Sequence, residues 1–459
     1  MSDGDVRPTW FERWIHASYR RGSAWGWFLG RRVTPLGWLV MALTGVSALL
    51  GLNVEQGRVY VVFGLLTGMI VVAFFWAFFR RGELRVSREL PEFATAGEEM
   101  RYTVNLENTG ARKLAGARLR EESADFRPGL LEFVTRREPR EEKRNGFDRL
   151  FAYYRWKWLA EAAKIFTADE LRDLPVLRRG EKGRLRCQVT PLRRGVVRLA
   201  DVRLYLPDPF GFFQRCRRTQ GEEGRVLVLP KRYHLPEEDL PGQSGMQSGG
   251  EASSVARGAG GEFMALRDYR TGDPLRHIHW RTWARTGRPI VIEHEEFWFP
   301  RYGLVLDTSL DGVGPEVFEE AVSVAASYVS TVDTRKCLLD LMFVREGARI
   351  VTAGQGVGRA ASLLEVLAMV EPGPPSSYEE LGRLVLRYEH ELTALIVVLT
   401  GWSEARAELL RRWASAGLDL VVLVVCEDVA AERKKMTRWP APVALKCLAV
   451  DRIQEDLWR

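Results

Sequence analysis

Cysteine is sparse. The chain has five in 459 residues (Cys187, Cys216, Cys337, Cys426 and Cys447), an odd number, far apart and never spaced as Cys-x-x-Cys. That excludes a disulfide scaffold and a thiolate zinc site of ordinary spacing, and it suits a reducing compartment. Several catalytic signatures are missing as well. There is no Gly-x-Ser-x-Gly elbow, no His-Glu-x-x-His helix, and no phosphate loop with its lysine; the glycines of "GQGVGRA" at 354–360 read as a turn before a helix.

Uncharged runs long enough to cross a bilayer are also few, but two lie side by side. Residues 33–54, "VTPLGWLVMALTGVSALLGLNV", and 59–79, "VYVVFGLLTGMIVVAFFWAFF", hold no charge and leave only "EQGR" between them. About 20 apolar residues span a membrane, so the pattern predicts a two-helix transmembrane hairpin. The first run is too long and too late for a signal peptide. A transporter is disfavoured by the lack of any intramembrane charge. Arg7, Arg13, Arg20, Arg21, Arg31 and Arg32 precede the pair, and Arg80, Arg81 and Arg85 follow it, against Arg58 alone in the turn. The positive-inside rule then places both termini in the cytoplasm.

The rest divides by pattern. Residues 1–32 form a Trp- and Arg-rich tail, either loose or lying in the headgroup region, and 33–81 form the hairpin. Over residues 82–235, Met100, Tyr102, Val104 and Leu106 alternate before a turn, and further short strands are expected at 116–122, 183–192, 195–207 and 224–230. This reads as a β-sandwich module. A helical insert near 140–172 spaces Phe147, Leu150, Phe151, Tyr154, Trp158 and Ala162 three or four apart, giving one aromatic face for the core or for a partner. Residues 236–261 are a flexible Gly/Ser-rich linker. Segment 262–300 is rich in Arg, Asp and Trp, and residues 301–459 alternate strands with helices, predicting a doubly wound α/β domain.

Two stretches carry candidate chemistry. The first α/β strand ends in "VLDTSLD", where Asp307, Ser309 and Asp311 place oxygen side chains at alternate positions. Such a loop can hold a hard divalent cation such as Mg2+, or its carboxylates can cap the next helix. The loop resembles the metal-ion-dependent adhesion site of von Willebrand factor A domains, with Asp311 where a second serine belongs and Gly401 where a later aspartate belongs. Ser376 or Ser377 stands nearest to that site's threonine loop.

The second is "GGEFMALRDYRTGDPLRHIHWRTWARTGRPIVIEHEE". Between Glu262 and Glu296 it holds six arginines and six acids, too balanced for a nucleic-acid footprint. Arg pairs bidentately with carboxylates and stacks on Trp, so Arg267, Arg276, Arg281 and Arg285 are expected to pair with Glu262, Asp268, Asp273 or Glu293 beneath Trp280 and Trp283. An arginine left over would hold a phosphate or a partner's carboxylate, and His277, His279, His294 and Asp273 form an alternative metal set. The stretch resembles the signature of the bacterial family catalogued as domain of unknown function 58. Matching positions include Glu262, Phe263, Leu266, Arg267, Tyr269, Gly272, Asp273, Arg276, Trp280 and Arg285, with "DPFGFF" and "VLVLP" upstream. The resemblance covers nearly the whole chain. It implies a membrane-anchored protein with a sandwich module and an A-like domain, encoded beside MoxR-type AAA+ ATPases and transglutaminase-like membrane proteins. The expected role is a non-enzymatic adaptor or assembly factor at the bacterial inner membrane; the alternative is a metal-dependent hydrolase using Asp307, Ser309 and Asp311.

Overall fold

The computed structural model describes residues 8–50, 57–123, 127–138, 141, 144–168, 171–236, 263–273, 275–294, 300–310, 313–334, 337–345, 347–354, 358–373, 377–436 and 444–458. The chain is multidomain and mixes α and β. It separates into two compact units, Met1–Lys231 and Arg232–Arg459.

The first unit opens with helix α1 (Trp10–Gly30), started by a capping box. Thr9 Oγ1 accepts from Glu12 N at 3.3 Å, while the Glu12 carboxylate accepts from Thr9 N at 2.8 Å. Helices α2 (Pro35–Leu50) and α3 (Gly57–Phe79) follow and lie against each other. Residues 58–79 are long and apolar enough to cross a membrane, and only 11% of the most apolar stretch is buried, so α3 is not an ordinary core helix. Helix α2 has 16 residues, about 24 Å at 1.5 Å per residue, and positions 51–54 of the first apolar run lie outside the described residues.

Strands appear in each stretch where alternation predicts them, the stretch 195–207 forming two, and five further short strands join them at 84–89, 93–95, 166–168, 172–173 and 214–218. They are β1 (Leu84–Glu89), β2 (Phe93–Thr95), β3 (Met100–Asn108), β4 (Arg118–Glu122), β5 (Phe166–Ala168), β6 (Arg172–Asp173), β7 (Lys182–Pro191), β8 (Gly195–Leu199), β9 (Asp201–Pro207), β10 (Gln214–Arg218) and β11 (Gly224–Leu229). They form sheets ordered β1-β3-β7-β5, β10-β9-β4-β6 and β2-β11-β8, antiparallel except for β2 beside β11. The inward residues of all three sheets, among them Val86, Val104, Leu119, Val189, Leu199, Leu204 and Val228, close on one core.

The insert is helical but presents a different face. It contains α4 (Leu130–Thr135), α5 (Gly146–Phe151) and α6 (Tyr153–Ala162), and Ala152 between the last two is left-handed at φ 49°. That residue resets the helical phase, so a single stripe from Phe147 to Ala162 cannot continue through it. Phe147 and Leu150 are 69% and 57% exposed, while Trp156 and Leu159 are buried against Phe133 of α4 and Ile15 of α1. His16 Nε2 lies 3.0 Å from the Pro128 carbonyl, and Tyr19 donates to the Phe151 carbonyl at 3.0 Å. The N-terminal segment is therefore a docked helix.

Among the described residues of the second unit, the first regular structure is a hairpin of β12 (Phe263–Asp268) and β13 (Ile290–His294), which encloses α7 (Trp280–Thr286). A six-stranded sheet follows, built from β14 (Arg301–Leu306), β15 (Leu338–Val344), β16 (Ala348–Ala353), β17 (Ala394–Thr400), β18 (Asp419–Cys426) and β19 (Ala444–Ala449). Its order is β16-β15-β14-β17-β18-β19, parallel except for β16. Helices cover both faces, as near-continuous apolar strands require. On one, Val305, Val397 and Val422 meet α10 (Ser377–Arg387) and α11 (Glu404–Ser415). On the other, α8 (Pro315–Thr331) packs against β14, β17 and β18, burying Phe318, Val322, Ala325 and Val329.

Candidate functional site

The parallel strands bring their C-terminal ends together, and Asp307 sits there, directly after β14. It is 1% exposed. Its Oδ1 accepts from Ser309 N at 2.9 Å, and its Oδ2 accepts from Arg406 Nε at 2.7 Å. Arg406, in the first turn of α11, is itself buried and reaches back over the sheet end because Ser403 caps that helix. Its Nη2 also donates to Thr400 Oγ1 at 3.2 Å, and that hydroxyl lies 2.6 Å from the Ser309 carbonyl and 3.1 Å from Asp307 Oδ2. Ser309 Oγ is buried and has no hydrogen-bond partner among the described residues.

This arrangement does not fit a divalent cation held by Asp307 and Ser309. The carboxylate already has a fixed positive charge at hydrogen-bond distance, and a further divalent charge beside a buried guanidinium would meet strong repulsion at low dielectric. Asp311 and Ser376 lie outside the described residues, and the side chain of Ser377 is not described. Among the described residues no group of three or more His, Cys, Asp or Glu converges as a metal site. Nor does Asp307 cap the following helix, since α8 starts at Pro315 behind Gly314.

The arginine-rich hairpin is built around Ile278 and Val291, both buried. Arg267 grips Asp273 bidentately, at 2.7 and 2.8 Å, and Arg270 N donates to the same carboxylate at 2.8 Å. The Arg267 hydrogen bonds, with the Arg270 amide, hold Asp273 down to about 2. Gly272 supplies the φ of 112° that the turn needs.

Only this one of the expected arginine–acid pairs is brought together among the described residues. Arg276, Arg281 and Arg285 are exposed, and Arg276 Nε donates to His277 Nε2 at 3.2 Å. The reason is length: α7 has seven residues, and Arg281 and Arg285, four apart, share a face that it turns to solvent. Trp280 and Trp283 stack on each other, with centroids 5.2 Å apart and planes at 21°, and Trp280 is 60% exposed. They do not roof a buried network. Leu266 and Tyr269 lie on and just after β12; Glu262 lies outside the described residues, as do the side chains of Phe263, Glu293 and His294.

Sequence reading missed a third feature, although "DPFGFF" was its signal. After β9 the Asp208 carboxylate accepts from the amides of Phe210, Gly211 and Phe213, fixing a loop whose Phe212 packs against Val40 of α2 and Ala73 of α3. Thr34 N donates to the Phe212 carbonyl at 3.0 Å, and Thr34 Oγ1 to the Gly211 carbonyl at 2.6 Å. A Cβ on Gly37 would lie 2.2 Å from the Phe212 oxygen, so only glycine allows this approach. Arg80 donates to the Pro207 and Ala115 carbonyls, and Arg215 to those of Phe78 and Arg80. Arg31 is buried against Glu122, which also accepts from Tyr205; burial, with the nearby Arg203, pulls its guanidinium down to about 10. The apolar helices are thus bolted to the β unit by backbone bonds and arginines.

No family model matches the chain, and no curated protein matches it. Among solved structures it is similar to the CARDB domain of the PF1109 protein from Pyrococcus furiosus, at 14% identity over 32% of this chain and 94% of that one, with a TM-score of 0.17. A GH20 exo β-N-acetylglucosaminidase from Vibrio harveyi aligns at 9% identity with 76% of this chain and 57% of its own, with a TM-score of 0.15. Likenesses at this level carry no inference about activity.

Proposed function

We propose that the chain is a membrane-anchored adaptor or assembly factor of the domain of unknown function 58 type, which holds a von Willebrand factor A-like domain and an arginine-rich hairpin for a partner protein in the cytoplasm. The observation that carries this reading is α3: apolar over a bilayer's thickness, largely uncovered by the rest of the chain, and clamped to the β unit. In this reading α2 and α3 make two spans, both termini face the cytoplasm, and α1 lies at the membrane surface with Trp10, Trp14 and Trp25 exposed. The sheet order and the Asp307 loop support an A-like assignment of the second unit.

Partner binding is favoured over hydrolysis by the hairpin. Arg276, Arg281 and Arg285, with Trp280, are exposed cationic and aromatic side chains of one short segment, suited to carboxylates of another protein. The partner proposed is a MoxR-type AAA+ ATPase, with a transglutaminase-like membrane protein in the same assembly. Capture from detergent-solubilised native membranes tests this. Wild type recovers the ATPase, and Arg276→Ala and Trp280→Ala recover at least fivefold less at equal bait. Equal recovery by both variants would remove the hairpin from the interface.

A further inference from the structure

We infer that the Asp307 loop is a cation site whose cation is the chain's own Arg406, so that this end of the sheet works without a divalent metal. Three observations converge. Among the described residues the charges balance: one buried carboxylate faces one buried guanidinium at 2.7 Å, neither open to solvent. Geometry is closed too, because Asp307 Oδ1 serves the Ser309 amide, and Thr400 Oγ1 receives the second guanidinium nitrogen while lying on the Ser309 carbonyl. The third is the leftover: among the described residues, Ser309 Oγ is a buried oxygen on the loop with no hydrogen-bond partner, a donor that the guanidinium leaves unused. A loop with oxygens at alternate positions is a metal-binding shape. Here α11, whose cap sets Arg406 in its first turn, delivers a fixed positive charge to the same spot.

The inference rests on this geometry alone, and metal uptake is read without any partner, so it can fail while the adaptor reading stands and the reverse. The full chain, in detergent and stripped of metal, is titrated with Mn2+ while free Mn2+ is followed by electron paramagnetic resonance. Wild type and Asp307→Asn are expected to take up the same amount. Arg406→Met, which removes the charge but keeps the length, frees Asp307 Oδ2 and Thr400 Oγ1 beside Ser309 Oγ, and is expected to gain Mn2+ uptake that Arg406→Met/Asp307→Asn loses again. Wild-type uptake abolished by Asp307→Asn would overturn the inference. So would a folded Arg406→Met, checked by circular dichroism, that takes up no more than the double variant. Should Arg406→Met not fold, the wild-type and Asp307→Asn comparison decides.

Discussion

Arg88→Met is a demanding test of how the β unit carries load. Arg88 and Glu121 form a bidentate pair at 3.1 and 3.0 Å, with side chains 5% and 2% exposed. Tyr102 adds a hydroxyl at 3.2 Å, and burial beside Glu121 pushes that phenol up. Removing the guanidinium leaves the carboxylate with one neutral donor, and breaking such a buried pair costs about 3–5 kcal/mol. In a unit of this size the unfolding midpoint falls by roughly 10 °C. The pH dependence is diagnostic. Burial raises Glu121 in the wild type, and Arg88 draws it only part of the way back. A raised carboxyl contributes stability that is fully present below its unfolded value and lost as pH rises through its folded value. Without Arg88 the folded value rises further, so the deficit of Arg88→Met shrinks as pH falls from 8 to 5, while Arg88→Met/Glu121→Gln shows a smaller deficit at every pH. Thermal unfolding of the purified chain, followed by circular dichroism across that range, measures this. A deficit under about 0.5 kcal/mol at pH 7, or one that grows on acidification, would refute the reasoning.

Two further outcomes follow from the geometry. Gly37→Val drives a side chain into the Phe212 carbonyl, so the Asp208 loop lifts and trypsin cuts faster after Arg215 and Arg217; Gly45→Val, where nothing lies within 4 Å, leaves the rate unchanged. Asp273 is held down to about 2, so its contribution to the hairpin is present above the ordinary carboxyl value and lost as pH falls through about 2. The exciton band of the stacked Trp280 and Trp283 should persist in wild type at pH 3 and weaken in Asp273→Ala at pH 7.

Much of the architecture was legible because it is periodic. Alternation at Met100, Tyr102, Val104 and Leu106 marked β3, and apolar runs marked β14, β17 and β18. Periodicity failed where one residue changed its phase: nothing about Ala152 as a residue type announces a left-handed backbone, yet it turned Phe147 and Leu150 outward. The site was less legible for a different reason. Asp307 and Ser309 are local, but Arg406 lies 99 residues downstream and meets them only once β14 and β17 are paired and α11 is docked. Within the arginine-rich stretch composition gave the chemistry of pairing and no count of pairs, because acids eight positions away in sequence, as Asp268 is from Arg276, need not face the same side.

Helix α1 is made well before the residues that seat it. The Pro128 carbonyl that meets His16 is 112 residues behind it, and the Phe151 carbonyl that meets Tyr19 is 132 residues behind. During that interval Ile15 and its neighbours have nowhere in the chain to go. The apolar helices and all of β1, β2, β3 and β4 are made in between, so synthesis itself imposes an order in which both apolar helices are laid down before α1 can be fastened to the insert.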